Sequence, residues 1–111
     1  MDADMDAARL ERCVTGRLAR AYPAAAHDLE VRAVPESAAM LRAWARGAFA
    51  ADPGCRRVVY SVRAGDRNGA GTARDAGFRH VVDVELADAE ELELWVAEPA
   101  WVTVADGYQV G

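Results

Sequence analysis

Apolar positions along the chain change period from one stretch to the next. Between residues 4 and 22, Leu10, Cys13, Val14 and Leu18 recur at helical spacing, and Arg9, Arg12, Arg17 and Arg20 mostly fall outside that stripe. The spacing predicts an amphipathic helix, with Asp2, Asp4 and Asp6 where a helix N-terminus favours negative charge. Tyr22-Pro23 ends it, and residues 23–27 read as a linker. The run Asp28-Leu29-Glu30-Val31-Arg32-Ala33-Val34 alternates with period two and predicts a strand closed by Pro35. Ser37 is a candidate N-cap for a helix that reaches Ala51, with Leu41, Trp44, Ala45, Ala48 and Phe49 on one face and Asp52-Pro53-Gly54 as its stop.

The second half reads as strands around a short helix. Arg57 to Val62 predicts a strand with Val58, Tyr60 and Val62 on one face. A glycine-rich turn over 64–71 follows, then a short helix from Thr72 to Ala76 with Gly77 as its C′ residue. Phe78 to Leu86 alternates strictly, which puts Phe78, His80, Val82, Val84 and Leu86 on one face. With Glu91 to Ala97 it predicts an antiparallel hairpin, and Trp101 to Val104 predicts a short edge strand. The strand–helix–strand units imply parallel neighbours, and the hairpin makes the sheet mixed. The expected fold is therefore α/β, a small mixed sheet with flanking helices. Residues 1–26 form an N-terminal helix and linker, and residues 27–111 form the α/β domain.

Composition narrows the chemistry. The 111 residues are 52% hydrophobic and 28% charged, ordinary for one globular domain. A net charge of −5 excludes a general electrostatic grip on nucleic acid. All 13 basic residues are arginines, so a P-loop lysine and lysine Schiff-base chemistry are both excluded. Cys13 and Cys55 are too few for a disulfide framework and read as reduced thiols. No two of Cys13, His27, Cys55 and His80 are spaced as a metal-ligand pair, so no metal site is expected. No apolar run is long enough for a membrane span. The acidic opening Met1-Asp2-Ala3-Asp4-Met5-Asp6 is the reverse of a secretion signal, so the expected location is cytoplasmic.

Few constellations carry chemistry. Gly69 and Gly71 suit a dinucleotide fingerprint, but Arg74 stands at its third glycine position, and the glycines read better as turn residues. His80 reads as a structural histidine and His27 as a solvated one. No nucleophile elbow surrounds Ser37 or Ser61. Glu85, Glu90, Glu91 and Glu93 cluster around the hairpin, either as a solvated face or as a surface that attracts an amine or a basic partner.

Three stretches carry a resemblance. Asp52 to Val62, then Asp66, Asn68 and Ala76-Gly77-Phe78-Arg79, are similar to the N-x-x-A…A-G-F-R signature region of the GNAT superfamily of acyl-CoA-dependent N-acetyltransferases. Upstream, Val31-Arg32-Ala33-Val34-Pro35-Glu36 resembles the strand that leads to that family's V-x-P-E sequence. The likeness covers residues 28–97 and is nearest to the siderophore-type and aminoglycoside-type acyltransferases. It implies a mixed sheet splayed between two parallel strands, with acetyl-CoA in the splay and its pyrophosphate on glycine-loop amides at a helix N-terminus.

The resemblance implies that Val34 pairs with the pantetheine arm, that Ser37 opens the helix facing the pyrophosphate, and that Asn68 contacts the CoA arm. Glu30 is a remote candidate base. Three departures stand against these roles. Ser37-Ala38-Ala39-Met40-Leu41 replaces the glycine-rich loop, Ala73 stands where the family has a tyrosine acid, and the first half of the family fold is missing. The expectation is a GNAT-like protein without autonomous acetyltransferase activity that serves as a partner- or ligand-binding module. The alternative is an acyl-CoA-dependent N-acyltransferase whose site is completed by oligomerisation, using acetyl-CoA and a small-molecule amine. Either way the half-fold leaves an edge and an apolar face uncovered, so a homodimer or a heteromeric protein partner is expected.

Overall fold

The computed structural model describes residues 10–100. Five strands form one mixed sheet: β1 (Leu10–Arg12), β2 (Leu29–Val31), β3 (Val58–Arg63), β4 (Arg79–Glu85) and β5 (Glu91–Ala97). Their order across the sheet is β1-β2-β3-β5-β4. Only β2 and β3 run parallel, and the other three neighbouring pairs are antiparallel. Helix α1 (Ala38–Ala51) makes the crossover from β2 to β3, and α2 (Arg67–Asp75) links β3 to β4. The class is α/β, as the periodicities imply.

Local chemistry explains both helices. Ser37 caps α1, its hydroxyl accepting from the Met40 N–H at 3.1 Å. Leu41, Ala45 and Ala48 bury one face of α1, and Asp52 closes it by donating its N–H to the Ala48 carbonyl. Asp66 caps α2 by accepting from the Gly69 N–H at 3.0 Å. A Cβ at Gly69 would lie 2.8 Å from the Asp66 carboxylate and 3.0 Å from Val62, so the cap requires glycine there. Because of this cap, α2 starts at Arg67 rather than at Thr72, and the glycine-rich stretch expected as a turn is helical. Gly77, at φ +95°, ends it.

The sheet separates two cores. On one face Val31, Val58, Val62, Trp95 and Ala97 pack beneath α1 and α2, with Leu41, Ala45, Ala73 and Phe78. On the other, Val59, Leu92, Leu94 and Val96 are covered by Cys13, Leu18 and Tyr22.

That second core corrects the expected helix over 4–22. In the described part, Leu10–Arg12 is an edge strand paired with β2, and turns follow to Tyr22. The apolar residues do bury, Cys13 and Leu18 almost completely, but Val14 remains 40% exposed. Pairing with β2 satisfies the backbone of residues 10–12, and the Cys13 N–H donates to the Asp28 carbonyl, so a helix has no advantage there.

Strand β4 departs from its strict alternation. The register shifts between His80 and Val82, so His80 lies opposite Trp95 while Val82 and Val84 lie opposite Leu94 and Leu92. Phe78 and His80 therefore face the helices, and Val82 and Val84 face the other core, because a bulge at Val81 inverts the pattern. The strand expected over 28–34 is shorter, ending at Val31. The edge strand expected at Trp101–Val104 lies outside the described residues.

Candidate functional site

The β2–β3 ladder has only three residue pairs, the last being Val31 with Tyr60. Beyond it β3 continues through Ser61, Val62 and Arg63, paired with β5 on its other side. Arg32, Ala33 and Val34 leave the sheet toward α1, and Val34 is 87% exposed. The sheet thus opens at the C-terminal ends of its one parallel pair, the place where α/β sheets commonly receive ligands. The expected contact residues share this end. Val34 and Ser37 lie on the connection from β2 to α1, and Asn68 is exposed in the first turn of α2, just after β3.

Glu30 points to the opposite face from α1 and is 1% exposed. Its Oε2 accepts from Arg17 Nη2 at 2.7 Å, Arg17 Nε at 3.1 Å and Ser61 Oγ at 2.8 Å. Arg32 approaches the same oxygen at 3.6 Å. Arg17 also reaches Glu90 at 3.7 Å, and Arg63 meets Glu90 at 3.4 Å. Burial pulls the Arg17 guanidinium down, but the hydrogen bond and charge of Glu30 outweigh it and hold the group above its ordinary value. A carboxylate so deeply enclosed is shielded from a substrate amine. It ties the turn carrying Arg17 to β2 and β3, which is a structural role.

Ala73, in place of the expected tyrosine acid, is fully buried. Tyr60 packs edge-on against Phe78 with ring centroids 6.4 Å apart, and burial, aided by Asp66, pushes its hydroxyl up. At the start of α1 the Ser37 hydroxyl takes the Met40 N–H and its carbonyl takes the Leu41 N–H.

His80 stacks on Trp95 at 5.4 Å and contacts Asp83 at 2.7 Å. His27 contacts Asp52 at 2.7 Å. Cys13 and Cys55 are buried free thiols, pushed by desolvation to about 12 and about 11 respectively. Among the described residues no group of three or more His, Cys, Asp and Glu side chains is placed to hold a metal ion. No helix among them is long and apolar enough to cross a membrane.

Sequence reasoning singled out Glu30 but not its partners. The spacing puts Arg17 on the outside of a helix, and Ser61 lacks the surroundings of a nucleophile. Alternation did hold a signal, since Glu30 and Ser61 lie on one face of adjacent parallel strands.

No protein-family model matches the chain, and no curated protein matches it. Among solved structures, an uncharacterized protein from Bacillus halodurans superposes with a TM-score of 0.72 at 19% sequence identity. The chain shares that protein's fold. The alignment covers 86% of this chain and 53% of the other, so this chain spans about half the length of its structural relative. At such identity the likeness concerns the fold alone.

Proposed function

We propose that this domain is a GNAT-like binding module, without acetyltransferase activity of its own, that takes an extended ligand into the opening between β2 and β3. The observation carrying this reading is the ladder that stops at Val31 and Tyr60 while β3 runs on to Arg63. A pantetheine-like arm fits such an opening, between the backbone of 32–34 and that of 61–63, with Asn68 at its mouth. A CoA diphosphate does not fit equally well. No glycine-rich cradle precedes α1, and Glu36 stands beside the cap with the Met40 and Leu41 amides already bonded. Transfer lacks its groups as well: Glu30 is enclosed and Ala73 offers no hydroxyl.

Calorimetric titration with CoA, acetyl-CoA and pantetheine, together with a thiol-release assay on a panel of amines, tests this. We expect pantetheine to bind within about threefold of CoA, a difference under about 1 kcal/mol, and no thiol release. No binding at millimolar ligand would retire the ligand reading. Strong preference for CoA over pantetheine would reveal a diphosphate site and retire the degenerate one.

A second reading has support in the half-length match to the Bacillus halodurans protein and in the three-residue edge strand β1. A second copy of this chain would complete the site along that edge. Light scattering across a concentration series, with turnover measured on the same samples, tests it. A monomer at every concentration would refute it.

A further inference from the structure

Strand β4 is an edge of the sheet, and among the described residues only β5 pairs with it. Arg79 to Asp83 are all exposed. Four large apolar side chains stay exposed among the described residues, and two of them, Val81 at 48% and Val82 at 41%, are adjacent on this edge. The apolar surface continues beside them in a groove of about 340 Å³ that Tyr22, Pro23 and Val96 also line. An apolar pair on an unpaired edge invites another strand.

The charges say which strand fits. β4 begins with Arg79 and His80 and ends with Asp83 and Glu85. β5 adds to the acidic end, since Asp83 lies opposite Glu93 and Glu85 opposite Glu91. Like charges so opposed are unfavourable. An antiparallel copy of the same strand brings its basic end against this acidic one.

The bulge decides the register. When a strand pairs with its own two-fold copy, facing residues must share a side of the sheet. In an unbroken strand His80 and Asp83, three apart, point to opposite sides. The register shift between His80 and Val82 instead places both on the helix side, opposite Trp95 and Glu93. It leaves Arg79 and Val84 together on the other side, opposite Val96 and Leu92. A bulge ordinarily blunts an edge, but this one makes the strand complementary to its own copy.

We propose that two copies of this chain pair antiparallel through β4, about a two-fold axis between Val81 and Val82. His80 of each copy then faces Asp83 of the other, Val81 faces Val82, and Arg79 faces Val84. The contact uses the edge opposite β1 and does not depend on the opening between β2 and β3.

Light scattering of the full chain from about 1 μM to 1 mM tests the proposal and should show a reversible monomer–dimer equilibrium within that range. Val82→Glu should weaken association by at least about tenfold, because it sets a carboxylate where two valines meet. His80→Asp opposes two carboxylates on each side of the axis, and Asp83→Arg removes the acid that His80 of the copy faces. Each alone should weaken association about tenfold, whereas an equimolar mixture of the two should regain dimers holding one chain of each kind. All three positions are exposed, and thermal unfolding of each variant checks that the fold is kept. A wild-type monomer at every concentration, or a mixture that stays monomeric, would overturn the proposal. So would a Val82→Glu dimer as strong as wild type, which would place the contact on another surface such as the β1 edge.

Discussion

Glu30→Gln separates a structural carboxylate from a catalytic one. The substitution keeps the shape but removes the charge that receives Arg17 at 2.7 and 3.1 Å and Ser61 at 2.8 Å. It also places amide hydrogens among donors that already point inward. Hydrogen bonds to charged groups contribute about 1.5–3 kcal/mol each, and breaking a buried ion pair costs about 3–5 kcal/mol. The Arg17 side chain is 32% exposed and can return to water, which lowers the net loss to about 2–3 kcal/mol. For a domain of this size that is about 10–20 °C in Tm. Urea unfolding of the wild type, Glu30→Gln, Arg17→Gln and the double variant measures both the loss and the coupling, expected at about 1–2 kcal/mol. A Glu30→Gln protein within about 0.5 kcal/mol of wild type would refute the structural role. If it also lost an amine-dependent thiol release present in the wild type, Glu30 would be a base after all.

Three further outcomes follow from the same structure. Cys13 and Cys55 are neutral in the fold well above their ordinary value of 9.0, the first to about 12 and the second to about 11. Their contribution to stability is complete below pH 9 and declines as pH rises from 9 toward 11–12, because the unfolded thiols ionise first; thiol-reagent labelling at pH 8 should require unfolding, and prompt labelling of the native protein would contradict this. Ala73→Tyr, intended to restore the missing acid, should cost about 3 kcal/mol or more by overpacking a fully buried position, with no gain in turnover; a stable variant would show hidden space beneath α2. Ser37→Ala should cost about 1 kcal/mol through loss of the α1 cap, read by thermal unfolding, and a larger effect on ligand binding than on stability would place Ser37 in the site instead.

Elements with a strong local period were legible in the chain. The stripe of α1, its Ser37 cap and its stop at Asp52 can be read from spacing, and so can the β4–β5 hairpin. The misreadings have physical causes. Leu10, Cys13 and Leu18 have helical spacing, yet each buries from a strand or a turn, because the edge of β2 supplies backbone partners that an isolated helix would have to provide itself. The extent of α2 was hidden because Gly69 and Gly71 count against a helix, whereas the Asp66 cap needs a glycine three residues on. The bulge at Val81 leaves no trace in an alternating sequence, since every residue around it suits a strand. At the candidate site, the end of the β2–β3 ladder is a matter of three-dimensional register, which has no sequence signature.

The three-pair ladder between β2 and β3 also bears on how the molecule opens. Strands β3, β5 and β4 are laced by two long antiparallel ladders, whereas β1 and β2 join them through Leu29, Glu30 and Val31 alone. Local unfolding follows the weakest seam. Amide hydrogens of β1 and β2 should therefore exchange through a partial opening that leaves the β3–β5–β4 unit intact, while those at the centre of β3 and β5 wait for global unfolding. A ligand lodged along that seam would slow the first class of amides and leave the second unchanged. Hydrogen exchange can thus report occupancy of the opening without any turnover to follow.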